Sequence, residues 1–207
     1  MSAAAGPWRA PHPLLLASAS PVRCMLLESA GLPVETEAAD IDERVVEESL
    51  RTADPAALAR GLAVEKALAV SRRRPGRIVV GADQILTLDG ELLHRPATAD
   101  DAKVQLARLA GRTHRLHSGV AVVRDGEAVA SLVETAQLTM RPLTSHAIDA
   151  YAAIAGTERL TQSVGAYQLE GLGIHLFDRV EGDHATILGL PLLPLLRVLR
   201  DLDLLAL

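Results

Sequence analysis

The strongest candidate for a catalytic group is Asp83, which directly follows a short apolar run. Residues 78–80 are β-branched and favour a buried strand. Residues 81–82 are a glycine and an alanine, which let a ligand or another backbone come close. We therefore predict that the strand ends near residue 82 and presents Asp83 at its carboxyl end, where open α/β sheets place their chemistry. Taken alone, the segment fits a turn capped by an aspartate equally well.

A second candidate site follows the apolar run 14–17, at a Ser-Ala-Ser-Pro segment that begins with Ser18. Ser20 is a favourable N-cap residue and Pro21 suits the first helical position, which predicts a helix of about ten residues. The free N–H groups and the dipole at such a helix start attract anions, and Arg23 in the first turn favours an anion more than it favours the helix. By itself, the segment also fits an ordinary capped helix with an exposed arginine.

Two further features carry charge of opposite sign. Residues 40–43 form a dense acidic turn that either holds a divalent cation through its carboxylates or is a solvated loop before a helix. Lys66 lies on a mostly apolar helix that is predicted to begin at Asp54-Pro55 and to continue to about Arg73. Its ammonium group either extends to solvent or contacts a phosphate.

Composition restricts the class of protein. The chain has 207 residues, of which 49% are hydrophobic, enough for one sizeable core or for one domain with two lobes. The net charge of −5 argues against a nucleic-acid partner, and no apolar run reaches the ~18 residues that span a bilayer. The single cysteine, Cys24, fits a reducing cytoplasm, and the prolines at positions 7, 11 and 13 do not fit a signal peptide. We expect a cytoplasmic protein that binds a small ligand, with no nucleic-acid or membrane partner.

The elements that must position these residues alternate between strands and helices, which predicts an α/β fold. The Asp-Gly pairs at residues 89–90 and 125–126 predict two hairpins. Residues 1–13 are expected to form a loose leader and residues 14–207 a single domain. The expected strands are 14–17, 34–37, 84–88, 91–94, 116–123, 128–138 and 174–181, besides the run at 78–80. The expected helices are 21–30, 55–73, 99–109, 145–155 and 192–205, and residues 165–173 form a glycine-rich loop.

Six segments, taken in order and spacing, resemble the Maf family of nucleoside triphosphate pyrophosphatases over about residues 14–200. They are residues 16–23, 40–43, 65–67, 81–83, 165–171 and 189–192. The resemblance implies a mixed twisted sheet flanked by helices, with two lobes around a central cleft (Maf/ITPase-like), often in a homodimer. It also implies an enzyme that hydrolyses a nucleoside triphosphate to a monophosphate and pyrophosphate with Mg²⁺ or Mn²⁺.

The resemblance assigns roles to individual residues. The catalytic aspartate of the family falls on Asp83, and the phosphate-binding serine and arginine fall on Ser18 and Arg23. The acidic residue of the second motif falls on Glu43, which would hold the metal together with Asp83. The lysine of the family falls on Lys66, which would neutralise the triphosphate during in-line attack by water.

Four positions depart from the most common family pattern. Val22 replaces the first arginine of the Ser-Pro-Arg-Arg segment, and Arg95 replaces a substrate-binding lysine that precedes a proline. Gln84 and Glu170 resemble the branch that prefers 7-methyl-GTP, and the carboxylate of Glu170 suits the positive charge of N7-methylguanine. At Val22 that branch commonly has a large aromatic residue, so stacking on the base is lost. The resemblance thus favours 7-methyl-GTP or other modified nucleotides as substrate.

Three alternatives remain open. A nucleotide-binding regulator of cell division without significant catalysis would have no need of Asp83. An inosine-triphosphate-type pyrophosphatase has a related fold, but its motifs match less well. A haloacid-dehalogenase-like phosphatase would use Asp40 as nucleophile, yet that nucleophile normally ends the first strand, where Ser18 stands here.

Overall fold

The computed structural model describes residues 6–207, and residues 1–5 of the predicted leader lie outside the described part. Trp8 forms an antiparallel bridge with Leu205, and its indole N–H donates to the carbonyl of His12 at 2.7 Å. The part of the predicted leader that is described is therefore hydrogen-bonded to the C-terminal segment.

Strands and helices follow one another along the described chain. The strands are β1 (Leu14–Ala17), β2 (Val34–Thr36), β3 (Ile78–Leu88), β4 (Glu91–Leu93), β5 (Thr113–Arg124), β6 (Glu127–Met140) and β7 (Phe177–Glu181). The helices are α1 (Pro21–Ser29), α2 (Glu43–Leu50), α3 (Pro55–Arg73), α4 (Ala99–Leu109), α5 (Ser145–Ala155), α6 (Thr157–Gln162), α7 (His184–Ile187) and α8 (Leu192–Asp201). Among the described residues, no helix has both the length and the apolar character that crossing a membrane requires.

The sheet is mixed, which confirms the α/β prediction. Its strand order is β2-β1-β3-β5-β6-β7, and β4 pairs with β3 beside this path. Strand β1 is parallel to both β2 and β3, with Ala17 opposite Gly81. The pairs β3–β4 and β6–β7 are antiparallel. The short hairpin at residues 89–90 is thus formed as predicted.

The described chain divides into two compact units. The first contains residues 6–83, 118–134 and 189–207, and the second contains residues 84–117 and 135–188. Each unit has its own apolar core, in which leucine, alanine and valine predominate because the chain has few aromatic residues. The predicted candidates Ser18, Arg23, Glu43, Lys66 and Asp83 all lie in the first unit.

The prediction that a strand ends near residue 82 is wrong. Strand β3 continues without a break through Asp83 to Leu88, so the carboxylate lies in the middle of a strand. Gly81 lies within the strand and does not end it. Its lack of a side chain makes room for a helix that packs against the sheet, as described below. The start of the predicted strand 174–181 is also different, since residues up to Leu176 form a short 3₁₀ helix.

Three helices, α2, α6 and α7, were not predicted from the sequence. Helix α2 begins within the acidic turn, where the side chain of Asp42 accepts the N–H groups of Arg44 and Val45 at 3.1 and 3.3 Å. The carboxylate of Asp42 is therefore an N-cap, a role that aspartate fills well. This cap fixes Glu43 as the first helical residue.

Candidate active site

An ion-pair cluster joins three of the predicted site residues, of which Lys66 and Asp83 are buried. The ammonium nitrogen of Lys66 lies 2.5 Å from Oδ1 of Asp83 and 2.7 Å from Oε1 of Glu43. The two carboxylate oxygens are therefore less than about 5.2 Å apart, because both contact the same nitrogen. Asp83 is 7% exposed, whereas the side chain of Glu43 is 53% exposed. One carboxylate is thus held in the interior and the other faces water.

Two glycines on neighbouring strands let helix α3 approach the sheet closely. A Cβ on Gly81 of β3 would lie 2.1 Å from the carbonyl oxygen of Ala63, and one on Gly119 of β5 would lie 2.3 Å from that of Ala59. No larger residue fits at such distances. The sequence indicated this close approach at Gly81 but not at Gly119, which stands inside a strand pattern without a turn signal. The approach places Lys66, one turn beyond Ala63, beside the sheet.

The second predicted group lies at the start of helix α1. Ser20 is the N-cap residue, and its hydroxyl accepts the N–H of Arg23 at 3.4 Å. The guanidinium of Arg23 is buried, and its Nη1 donates to the carbonyl of Ala82 at 2.7 Å and to the hydroxyl of Ser18 at 3.3 Å. An ordinary helix start with an exposed arginine is therefore excluded. Arg23 contacts the residue that precedes Asp83, which joins the two groups into one site.

Gly189, in the last of the six motif segments, makes room for this arginine. Its φ of +92° lies in the left-handed region, and a Cβ there would be 3.1 Å from both Nε and Nη2 of Arg23. A side chain at this position would force the guanidinium group to shift by a few tenths of an ångström and would be strained by the positive φ. The absence of a side chain at Gly189 therefore leaves room for the guanidinium group of Arg23.

The electrostatics of the site depend on the burial of Asp83. Burial raises the pKa of its carboxyl group above the ordinary value, because the ionised form is poorly solvated there. The positive charges of Lys66 and Arg23 oppose this increase. A carboxylate with a raised pKa is a stronger base than an exposed one. The site therefore combines a candidate base with buried cations that suit phosphate oxygens.

The remaining predicted residues are distributed over both units. Val22 is half-buried on α1 in the first unit, whereas Gln84, Arg95 and Glu170 belong to the second. Arg95 and Glu170 are exposed. The side-chain amide of Gln84 donates to the carbonyl oxygens of residues 186 and 187 at 3.2 and 2.9 Å. These bonds give Gln84 a structural role at the end of helix α7.

The glycine-rich loop that carries Glu170 is held by side chains that sequence reasoning missed. The hydroxyl of Ser163 contacts both the N–H and the carbonyl oxygen of Tyr167, at 3.0 and 2.6 Å. The phenol of Tyr167 lies 2.7 Å from Nε2 of His114, which is buried, and burial lowers the pKa of this histidine to about 4. Ser163 and His114 thus hold Tyr167 in place, and Glu170 lies three residues beyond this fixed point of the loop.

In this mixed α/β sheet, a buried carboxylate–ammonium pair lies close to a helix start whose free N–H groups attract anions, and such groups are suited to phosphate chemistry. Comparison with known proteins gives the family: the chain belongs to the Maf-like proteins, whose family model matches residues 13–202. The resemblance noted in the sequence is confirmed.

Individual relatives cover nearly the whole chain. A nucleoside triphosphate pyrophosphatase of Nitrobacter winogradskyi is 56% identical over 200 residues, which are 97% of this chain and 98% of that protein. A 7-methyl-GTP pyrophosphatase of Rhizobium johnstonii is 52% identical over 191 residues, 91% of this chain and 96% of that protein. A solved dITP/XTP pyrophosphatase of Mycobacterium abscessus aligns with a TM-score of 0.40 and 19% identity, over 63% of this chain and 74% of that one.

Proposed function

We propose that this protein is a nucleoside triphosphate pyrophosphatase that hydrolyses its substrate to a nucleoside monophosphate and pyrophosphate. The observation that carries the proposal is the cluster in which Lys66 contacts both Asp83 and Glu43. The full-length relatives that bear this name support it.

Cationic groups and N–H donors that could bind the substrate phosphates lie near the start of helix α1. Phosphoryl transfer requires positioning and charge neutralisation more than covalent chemistry. The hydroxyl of Ser18 and the free N–H groups at the start of α1 would hold phosphate oxygens. The charges of Arg23 and Lys66 would offset the charge that develops on the leaving pyrophosphate. Arg95, which is exposed, is proposed as a further contact to the triphosphate.

Asp83 is the proposed base. Burial raises the pKa of its carboxyl group, which makes the carboxylate a stronger base towards the attacking water. The donor set fits Mg²⁺ or Mn²⁺, because Mg²⁺ commonly uses one or two carboxylates and Asp83 and Glu43 supply two within reach of each other. A bound divalent cation would supply charge neutralisation and activation of water.

The test is a product assay with purified protein, Mg²⁺ or Mn²⁺, and nucleoside triphosphates. We expect pyrophosphate as product, and Asp83→Asn should lower kcat by ~10²-fold or more, the scale of general-base catalysis. Asp178→Asn, at an exposed position of β7, is the matched control and should leave kcat unchanged. Orthophosphate as product would support a phosphatase of the haloacid-dehalogenase type, and tight binding without turnover would support a nucleotide-binding regulator.

We further propose 7-methyl-GTP as the preferred substrate. In support, the exposed carboxylate of Glu170 follows an anchored loop, and one relative bears the name of that activity. In a panel of 7-methyl-GTP, GTP, dTTP, UTP and CTP, Glu170→Gln should reduce the preference for 7-methyl-GTP over GTP roughly tenfold, ~1.4 kcal/mol. Glu158→Gln, on the surface of α6, is the control. An unchanged preference in Glu170→Gln would remove this residue from base recognition.

A cytoplasmic location and a homodimer also belong to the proposal. The single cysteine supports the first, because cytoplasmic proteins rarely depend on disulfides. The family resemblance supports the second, and light scattering on the purified protein at several concentrations tests it.

A further inference from the structure

The chain between β2 and α2 brings Glu43 to the site, and its first part is held by arginines at the end of helix α3. Among the described residues, the side chain of Arg74 hydrogen-bonds only to Glu37, at 2.6 Å, whereas that of Arg73 makes several contacts. We call residues 37–43 the acidic connection. Arg73, the last residue of helix α3, donates from Nη2 to the carbonyl of Ala38 at 2.7 Å and from Nη1 to that of Ala39 at 3.2 Å. Its Nε also contacts Oε1 of Glu37 at 2.9 Å. One guanidinium group therefore binds three consecutive residues.

The same helix holds both ends of the acidic connection. Lys66 and Arg73 are seven residues apart on α3, which places them on one face of the helix, two turns from each other. Arg73 binds the beginning of the connection, and Lys66 binds Glu43 at its end. Between them, Ala39 is buried against an apolar cluster that includes Val70 of α3.

The backbone of the acidic connection needs such external support. Asp40 has a φ of +51°, in the left-handed region that non-glycine residues rarely adopt. Strained backbone of this kind persists where surrounding contacts fix it. Asp42 then caps α2 and Glu43 begins it, so the conformation at residue 40 determines where the carboxylate of Glu43 arrives.

We propose that Arg73 is a positioning residue for Glu43: it fixes the acidic connection on α3 so that the Glu43 carboxylate stays at Lys66 and beside Asp83. In the reaction proposed above, on which this inference rests, Arg73 acts through Glu43 and does not touch the substrate. Nothing in the family motifs of the sequence marks Arg73, which stands in a run of three arginines at a helix end.

The kinetic test compares Arg73→Ala with Arg72→Ala, its neighbour. Arg72 is exposed in the same last turn, so its loss removes the same charge from the helix end. We expect kcat/KM to fall roughly tenfold in Arg73→Ala, since small misplacements of catalytic groups have large effects, and to change less than about twofold in Arg72→Ala. Equal effects of the two variants would overturn the proposal.

A double-mutant cycle with Glu43→Gln separates positioning from a general loss of structure. If Arg73 acts through Glu43, then adding Arg73→Ala to Glu43→Gln should lower kcat/KM by less than about twofold. Additive effects of the two substitutions would overturn the proposal. Arg73→Lys should rescue only part of the activity, because one ammonium group cannot reproduce the guanidinium contacts to both carbonyl oxygens.

Hydrogen exchange tests the geometric part without any enzyme assay. Amides of residues 38–46 should exchange faster in Arg73→Ala than in the wild type, and those in Arg72→Ala should exchange as in the wild type. Unchanged exchange in Arg73→Ala would overturn the inference. A wild-type protein without pyrophosphatase activity would overturn the proposed function alone, and the exchange rates would then decide whether Arg73 holds the acidic connection.

Discussion

Replacing Gly81 by alanine tests whether the close approach of helix α3 to the sheet creates the active site. The added Cβ would lie 2.1 Å from the carbonyl oxygen of Ala63 and 2.9 Å from Cβ of Ala67. An ordinary contact begins near 3.4 Å, so the helix backbone would have to withdraw by about 1 Å. Lys66 lies between those two residues and would move with the helix.

Two effects of this shift have estimable sizes. Overpacking of this kind typically costs about 1–3 kcal/mol, and the clash is with rigid backbone, so we expect a loss of about 2–3 kcal/mol in the free energy of unfolding. For a chain of this length that loss lowers Tm by about 5–10 °C. A displacement of ~1 Å at a catalytic group can reduce kcat by ~10²-fold, which we expect for Gly81→Ala on its preferred nucleotide.

The assay combines thermal unfolding with release of pyrophosphate, and Gly61→Ala is the matched control. Gly61 is also on α3, but an added Cβ would meet the two terminal methyl carbons of Leu50, at 2.7 and 3.0 Å, and a flexible side chain can rotate away. Alanine also favours a helix by up to ~1 kcal/mol over glycine, so this variant should stay within about 1 kcal/mol of the wild type. If Gly81→Ala has the same Tm and the same kcat as the wild type, the packing explanation of the site is refuted.

Two predictions concern buried titratable groups. The pKa of His114 is lowered to about 4, below the unfolded value of ~6.5, so its stability contribution is complete above pH 6.5 and is lost as the pH falls towards 4. In urea unfolding, this residue should lower the free energy of unfolding by about 2 kcal/mol between pH 7 and pH 5. If His114→Gln shows the same pH dependence of that free energy as the wild type, His114 is not its source. Lys66→Met should lower the unfolding free energy by about 3–5 kcal/mol, because Asp83 stays buried without its ammonium partner. Adding Asp83→Asn should recover part of that loss in the same urea assay, and a Lys66→Met protein as stable as the wild type would show that the pair is dispensable.

Local signals predicted many of the elements well. The helix starts at Pro21 and Pro55 agree with their N-caps, and helix α4 has the predicted bounds 99–109, with Thr98 as its N-cap. The Asp-Gly pairs mark the turns of both predicted hairpins. These features depend on contacts within about four residues, which is why they are readable without the rest of the chain.

Errors arose where distant residues decide the conformation. A glycine in an apolar run suggests a strand end, yet β3 continues through Gly81. The glycine is required there because helix α3 occupies the space that a side chain would need. The acidic segment at 40–43 is compatible with a cation site or with a solvated loop before a helix, and the sequence did not show that Glu43 itself begins a helix and pairs with Lys66. The positive charge of Arg73 suits the end of helix α3 without any further partner, so its contacts to residues 37–39 follow from packing that no local pattern reveals.

The sequence by itself determined the chemical groups of the site and the local caps that orient the helix starts. It supplied a carboxylate at residue 83, a second one at residue 43 and an ammonium group at residue 66, with the motifs that indicate their family. Tertiary structure alone decided that these groups meet, because they are 17 to 40 residues apart and two glycines must allow a helix to approach a sheet. It also decided that Asp83 is buried, and burial, which no residue type specifies, is what raises the pKa of its carboxyl group.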